Sequence, residues 1–253
     1  MPQGGTHLGI KILTIDIETR PSLAYVWGLW DQNVGLNQVE EFGTVISWAA
    51  KWHGEKKVYF ASDHHDGHAE MIKQAWELLD EADAVVGYNS KSFDMKHLNR
   101  EFVLAGYPPP SPYTDIDLMN VVKQRFCFTS NKLQHVATEL GIGSKLQHDV
   151  FDLWLRCRKD DHKAWSTMKK YNMQDVVLTE KVYERLLPWI KNHPHRGLYG
   201  GDPNACPRCG HAEVVKRGFA HTSMASYQII QCKKFGGYSR IAKSVDKVNN
   251  KSI

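Results

Sequence analysis

The sequence predicts an α/β body followed by a small β-rich module at the C-terminus. Apolar, β-branched segments come first along the chain, and amphipathic helical segments follow them up to about residue 190. A C-x-x-C motif then opens a segment of short alternating strands and turns. The length of 253 residues, of which 42% are hydrophobic, suits one medium-sized domain with an appendage.

Buried strands are predicted where β-branched and aromatic residues form short runs bounded by turn residues. The turn HGEK separates two of them. The predicted strands cover residues 10–17, 44–54, 56–62 and 83–89.

Helices are predicted where apolar residues recur every three or four positions. Residues 113–126 start extended and become helical, and Ser130 or Asn131 caps a helix that Gly141 ends. The other predicted helices cover residues 68–82, 94–106, 130–142 and, in two pieces, 161–190.

These elements divide the chain into four parts. The body spans residues 8–190, and a linker rich in Gly, Pro and His spans 191–205. The β-rich module spans 206–240, and we expect the polar residues 241–253 to form a flexible tail.

Charge is distributed unevenly along the chain. Residues 1–190 hold 21 Lys and Arg against 25 Asp and Glu, whereas residues 191–253 hold 11 against 3. A basic module suits a polyanion such as nucleic acid, although a solubilising tail has the same composition. No apolar run is long enough for a membrane helix, and the N-terminus does not read as a signal peptide. We therefore expect a cytoplasmic protein without a membrane partner. A virus-encoded protein that acts in its host cell also fits this expectation.

Two carboxylates stand at the end of the first predicted strand, in the sequence LTIDIET. Asp16 and Glu18 point to the same face of the strand because side chains alternate along it. Two neighbouring carboxylates repel each other unless a cation bridges them, and divalent cations prefer such oxygen ligands. On its own, such a pair is more typical of a surface strand end than of a metal site.

Further acidic residues occur in two later segments. Asp94 lies where a buried strand gives way to a helix, between Phe93 and Leu98, which we expect to anchor it in the core. Tyr171 and Asp175 are four residues apart and therefore share a helix face. Each has an ordinary interpretation, an N-cap or a surface aromatic, but their joint occurrence favours a metal site.

Three motifs in this order, DIET, YNSKSFD and YNMQD, resemble the exonuclease motifs of the DEDD superfamily of 3′–5′ exonucleases. Tyr171 marks the tyrosine-containing branch, and the second motif is similar to that of the proofreading domain of family B DNA polymerases. The resemblance covers roughly residues 10–185. It implies a ribonuclease H-like fold, a mixed sheet flanked by helices, and two divalent cations, Mg²⁺ or Mn²⁺.

The resemblance also implies a role for each matching residue. Asp16, Glu18, Asp94 and Asp175 would be metal ligands, and Tyr171 would orient the attacking water. A tyrosine with an ordinary pKa of about 10 is a neutral phenol at pH 7, which suits orienting water better than deprotonating it.

Accessory residues are predicted around this site. Asn89 would hydrogen-bond the terminal nucleotide, Thr19 would meet the 3′ end, and Phe93 would also contact substrate, while capping or strand-forming roles explain Asn89 and Thr19 equally well. Asp115 and Asp117 form a second D-x-D pair, to which we assign a structural role.

The C-terminal module resembles a zinc ribbon. Cys206 and Cys209 form a C-x-x-C knuckle and Cys232 opens a second one, in which Phe235 stands where a fourth cysteine is expected. Either His211 or His221 completes a zinc site, or zinc is held weakly or lost. We assign Cys206, Cys209, Cys232 and His211 as the ligands. Basic residues interleaved with Phe219, Tyr227 and Tyr238 suit single-stranded nucleic acid.

The sequence therefore predicts a metal-dependent 3′–5′ exonuclease that acts on 3′ ends of single-stranded nucleic acid, with DNA favoured over RNA. Two alternatives remain open. One is a structure-selective endonuclease on the same fold. The other is a catalytically weak nucleic-acid-binding or scaffold protein of a replication or repair assembly, in which a protein partner docks on the ribbon.

Overall fold

The computed structural model describes residues 9–143 and 150–249. The chain forms two compact units. Among the described residues, one unit spans residues 11–183, and the other comprises residues 184–249 together with residues 9 and 10. The start of the predicted body at residue 8 and the end of the predicted tail, residues 250–253, lie outside the described residues. No described helix is both long enough and apolar enough to cross a membrane.

The first unit is built on a mixed sheet of five strands in the order β5-β4-β1-β6-β7. Strand β1 lies between an antiparallel neighbour, β4, and a parallel neighbour, β6. This arrangement is the mixed sheet flanked by helices that was predicted. The strands are β1 Ile12–Thr19, β4 Val45–Trp52, β5 Tyr59–Ser62, β6 Ala84–Gly87 and β7 Thr114–Asp117, and a separate two-stranded ladder pairs β2 Leu23–Ala24 with β3 Val39–Glu41.

Seven helices are described in this part of the chain. They are α1 Asp63–Asp66, α2 His68–Glu81, α3 Asp94–Leu104, α4 Leu118–Arg125, α5 Leu133–Glu139, α6 Val150–Arg158 and α7 His162–Leu186. Helix α7 is continuous over 25 residues, so the prediction of two pieces was wrong. Lys132 stands at the N-cap of α5 without a side-chain cap, so the predicted cap by Ser130 or Asn131 was also wrong. Gly141 follows α5 with φ of 67°, as a helix-ending glycine does.

The main core lies on one face of the sheet. Leu13, Ile15 and Ile17 alternate along β1 and pack with α2 and α3. Leu98 of α3 is fully buried there, as predicted, whereas Phe93 is 38% exposed and contacts the ring of His97 instead. The predicted role of Phe93 as a core anchor was therefore wrong, because it precedes the first turn of α3 rather than lying on its buried face.

Helices α6 and α7 pack against β4 and form a second apolar cluster. The polar residues of β1 lie on this side of the sheet. Ile46 of β4 joins Leu153 and Cys157 of α6 with Trp165 and Met168 of α7. Since Thr14, Asp16 and Glu18 alternate with the core residues of β1, they face away from α2.

A buried ion pair fastens α7 to the sheet. Lys51 on β4 donates to Glu180 on α7 over 2.6 Å, and both side chains are nearly buried. Burial raises the pKa of Glu180, but His53 and Lys51 outweigh it, so this pKa lies below its ordinary value.

Replacing Glu180 with Gln should destabilise the protein by about 3 kcal/mol at pH 7, because it leaves Lys51 buried without its counter-charge. A carboxylate with a lowered pKa contributes stability above its unfolded-state pKa and loses it as pH falls. The difference between wild type and Glu180→Gln should therefore shrink below about pH 4.5. Urea unfolding at several pH values measures it, and a pH-independent difference would contradict an ionic contribution.

The second unit contains a three-stranded antiparallel sheet in the order β10-β9-β8. Its strands are β8 Val214–His221, β9 Ala225–Cys232 and β10 Tyr238–Lys247. The β-rich module is thus confirmed, but the flexible tail at 241–253 was wrong as far as Lys247, since Ser244, Asp246 and Lys247 pair with β9. An edge strand is held by backbone hydrogen bonds, so it tolerates the polar composition that suggested a tail. Within the predicted linker 191–205, the backbone of Arg196 bonds to Pro207.

Candidate active site and cysteine cluster

The carboxylates of β1 lie at a local irregularity of the strand. Glu18 pairs with Ser47 and Thr19 with Val45, so one residue of β4 is skipped between them. Such a bulge increases the local twist and re-aims side chains, and bulges are frequent beside active sites. Asp16 and Glu18 are both half-buried, and Thr19 is the last residue of the strand.

Asp175 of α7 joins these two carboxylates. One carboxylate oxygen of each of Asp16, Glu18 and Asp175 lies within 4.8 Å of the others, and Asp175 is 2% exposed. Three like charges at this separation repel strongly unless a cation or protons neutralise them. Hard oxygen donors in such a cluster fit Mg²⁺ or Mn²⁺ better than softer metals.

Asn172 holds Asp16 in place, and sequence reasoning missed it. Its amide nitrogen donates to the Asp16 carboxylate over 2.8 Å and to the Asp16 carbonyl over 3.1 Å. Its amide oxygen accepts from the hydroxyl of Ser47 over 3.2 Å. Asn172 is fully buried. In the sequence, the only signal of its role was its position inside the YNMQD motif, beside Tyr171.

Asp94 lies against the same stretch of β1. Its Oδ1 accepts the backbone N–H of Ile17 over 3.1 Å, between Asp16 and Glu18. The parallel pairing of β1 with β6 reaches only Thr14, so Asp94 accepts a strand N–H beyond the last paired residues. The carboxylate is not part of the cluster formed by Asp16, Glu18 and Asp175, but its bond to Ile17 places it beside the backbone that carries two of them.

Burial, with a smaller effect from the charges of Asp117 and Asp115, raises the pKa of Asp94 to about 7. The hydrogen bonds from the backbone N–H groups of Ile17 and of Asp94 itself act in the opposite direction. Without a cation this carboxyl is therefore partly neutral at pH 7. A cation beside it would favour the ionised form.

The loop before α3 is fixed by the second D-x-D pair. Asp117 accepts the backbone N–H of Asn89 over 3.0 Å and caps α4, and Asp115 accepts the hydroxyl of Ser90 over 3.2 Å. The structural role predicted for both aspartates is confirmed. Asn89 has a φ of 68°, a left-handed conformation that asparagine adopts more readily than most residues.

Tyr171 follows the same helix face as Asp175, one turn earlier. Its ring packs edge-on against Trp154 of α6, with 6.4 Å between the ring centroids, and belongs to the cluster around Met168. The ring is thus held by α6 and by its own helix. The phenol lies on the side of α7 that carries the acidic residue.

A cavity of about 520 Å³ adjoins the site on the side of Asp16. Tyr88, Met119 and Leu133 contribute to its walls, and Lys123 and Lys132 bring two positive charges. The cluster is therefore accessible from a space large enough for a small molecule or part of a polymer.

Three of the four predicted zinc ligands meet in the second unit. The sulfur atoms of Cys206, Cys209 and Cys232 lie within 4.8 Å of one another, and Cys209 and Cys232 are 3.7 Å apart. His211 is not part of this group, and its assignment as the fourth ligand stays a prediction. Its backbone pairs with the knuckle, since its carbonyl accepts the N–H of Cys206 over 2.9 Å.

The two knuckles have the same backbone form. Gly210 donates to the carbonyl of Cys206 over 2.8 Å, and Gly236 donates to that of Cys232 over 2.9 Å. Both glycines have φ near +70°, at 72° and 75°. Phe235 follows Cys232 as Cys209 follows Cys206, so it occupies the fourth ligand position.

Cys206 and Cys232 are buried, and Cys209 is half-buried. Burial, together with the neighbouring Cys206 and Cys232, raises the pKa of the Cys209 thiol to about 12. The guanidinium of Arg208 donates to the carbonyls of Ile190 and Tyr238 nearby, and burial lowers its pKa against the attraction of the three sulfurs. Without a metal, the Cys209 thiol is therefore neutral at pH 7.

The family model RNase_H_2, described as RNase_H superfamily, matches residues 32–187, which is more than half of the chain. The matched segment contains Asp94, Tyr171 and Asp175, while Asp16 and Glu18 precede it. A comparison with curated proteins gave no match.

Proposed function

The chain belongs to the RNase H superfamily, and from this premise we propose that it is a metal-dependent 3′–5′ exonuclease acting on single-stranded nucleic acid, DNA in preference to RNA. The observation that carries the proposal is the meeting of Asp16, Glu18 and Asp175, from a strand and a helix far apart in sequence, within 4.8 Å. The superfamily supports a nuclease in general, and the three motifs favour the exonuclease branch.

In this mechanism Asp16, Glu18, Asp94 and Asp175 hold two divalent cations, Mg²⁺ or Mn²⁺. Such cations, when bound, stabilise charge on the attacking and leaving oxygens and lower the pKa of water. The chain itself supplies position. Asn172 orients Asp16, the backbone of Ile17 orients Asp94, and Tyr171 hydrogen-bonds the attacking water. Thr19, Asn89 and Phe93 lie at the ends of the elements that carry the ligands and contact the terminal nucleotide.

The test is digestion of end-labelled single-stranded DNA and RNA with Mg²⁺ or Mn²⁺. We expect a 5′ label to give a ladder shortening from the 3′ end, and a 3′ label to appear at once as mononucleotide. A covalently closed circular strand should stay intact. Cutting of the circle would favour a structure-selective endonuclease, and binding without hydrolysis would favour a scaffold of a replication or repair assembly.

Replacing Tyr171 with Phe should slow hydrolysis by about 10- to 100-fold, because the water loses its hydrogen bond while the cations remain. The phenylalanine ring keeps the packing on Trp154, so thermal unfolding should be unchanged. Single-turnover rates measure the effect. An unchanged rate would remove Tyr171 from the reaction, and a loss as large as that of the carboxylate variants would give it more than a positioning role.

We also propose that the second unit binds one Zn²⁺ through Cys206, Cys209 and Cys232. Thiolates so close together fit zinc, and a module with so small a core needs such a link. Around it, the guanidinium of Arg240 lies 4.2 Å above the ring of Tyr227, and Phe219 and Tyr238 are exposed. This surface pairs cations with aromatic rings and so suits single-stranded nucleic acid.

Replacing Phe235 with Cys should strengthen zinc binding, since a fourth thiolate then enters the position that the second knuckle leaves open. We expect the variant to retain zinc at chelator concentrations about tenfold higher than wild type does, and Cys232→Ser to lose it. Zinc content after dialysis and the absorption of the Co²⁺-substituted protein measure this. Wild type that holds no zinc even in the absence of chelator would contradict the site.

A further inference from the structure

The cavity beside Asp16 is lined by positively charged side chains, which are not part of the acidic cluster. Its lining is formed by residues from β1, the end of β6, α4 and the start of α5. They are Asp16, Tyr88, Met119, Lys123, Asn131, Lys132, Leu133 and Gln134.

Two exposed lysines, Lys123 of α4 and Lys132 at the N-cap of α5, stand on this lining. Among residues 9–143 and 150–249, neither ammonium has an acidic partner within ion-pair distance. Some other cations of the same unit are paired, as Arg20 is with Asp63 and Arg158 with Glu41. Two solvated cations beside a carboxylate cluster are therefore available to an anion from outside.

The wall between the lysines is fixed and partly apolar. The hydroxyl of Tyr88 donates to the carbonyl of Asn131 over 2.7 Å, which ties the segment before α5 to the end of β6. Leu133 is buried and Met119 is half-buried, and both line the cavity. The cavity thus offers an apolar surface for a base or sugar and ammonium groups for phosphate.

Binding of a polyanion near the acidic cluster requires such positively charged groups. Residues 1–190 carry a net negative charge, and the cluster itself is acidic, so a polyanion approaching it is repelled except where local cations attract it. Lysine is a compact point charge that binds phosphate oxygens.

We propose that Lys123 and Lys132 bind the phosphates of the substrate strand next to the phosphate that is cleaved, with the adjoining nucleotide in the cavity beside Asp16. This inference rests on the proposed nuclease function and assigns its substrate path. The lysines are positioning residues: they hold the strand, and the carboxylates carry the chemistry.

The test compares Lys123→Ala, Lys132→Ala and the double variant with wild type in the full-length protein. Each single change should raise KM for a single-stranded oligonucleotide about tenfold with little change in kcat, as for the loss of one charge-assisted contact. Each should also reduce the slope of log affinity against log salt by about 0.7. Lys→Arg at the same positions should restore most of the affinity.

Lys73→Ala is the matched control, since Lys73 is an exposed lysine of α2, on the other side of the sheet. A second readout avoids turnover: fluorescence anisotropy of a labelled oligonucleotide, with Ca²⁺ in place of the cation that supports hydrolysis. If the lysine variants matched the Lys73→Ala control in KM, anisotropy and salt slope while wild type hydrolysed DNA, the path would be wrong and the nuclease function would stand. If wild type hydrolysed nothing but bound the oligonucleotide through these lysines, the nuclease function would fail and the binding site would stand.

Discussion

Asp175→Asn and Asp16→Asn should each lower the rate of hydrolysis by at least about 10²–10³-fold. That factor is typical for loss of one electrostatic element of an active site, and loss of a metal ion should exceed it. Asparagine keeps the shape of the side chain, so the packing of the 2%-exposed Asp175 is preserved. Single-turnover assays at saturating Mg²⁺ or Mn²⁺ measure the effect.

The same variants should change stability in the opposite sense. Three carboxylates within 4.8 Å repel one another when no cation is bound, so removing one charge should leave the metal-free protein at least as stable. Wild type should gain about 2.7 kcal/mol from a cation at 100 times its dissociation constant, and the variants should gain less. Glu77→Gln, an exposed carboxylate of α2, is the control. Near-wild-type hydrolysis by Asp16→Asn would overturn the assignment of the metal site.

The sequence was sufficient to predict the features that depend on short-range patterns. The strand run of β1 and the helical spacing of α2 and α3 follow from alternation and from three- to four-residue periodicity. The carboxylates of β1 and α7 were predicted to meet because motifs in this order match a known arrangement, and Asp16, Glu18 and Asp175 do meet.

Features that depend on long-range contacts were missed. Helix α6 and the ladder of β2 with β3 were not predicted. Residues 241–247 of β10 were predicted to be part of a tail because the segment is polar, but pairing with β9 holds them. His211 is not among the three clustered cysteines, and its carbonyl accepts the N–H of Cys206 within the knuckle. A residue's nearness along the chain does not fix the direction of its side chain.

Asn172 is the sharpest case of such a residue, since its partner Asp16 lies 156 positions earlier. Asn172→Ala should lower hydrolysis by about 10- to 100-fold, the usual range for residues that orient a metal ligand. Part of the loss should be recovered at high Mg²⁺ or Mn²⁺. A freely rotating Asp16 mainly weakens metal affinity, while the remaining ligands keep their positions. The apparent metal dissociation constant and the maximal rate should be measured separately.

A control is needed because Asn172 is fully buried, and removing it should itself destabilise the protein by about 1–3 kcal/mol. Val182→Ala, a buried residue of the same helix α7 near its other end, should cost a comparable amount through a cavity while leaving hydrolysis unchanged below the unfolding temperature. Ser47→Ala removes only the hydroxyl that donates to the Asn172 amide oxygen, so its effect on rate should be smaller than that of Asn172→Ala. If Val182→Ala and Asn172→Ala reduced hydrolysis equally, the loss would reflect stability, and Asn172 would have no separate role in holding Asp16.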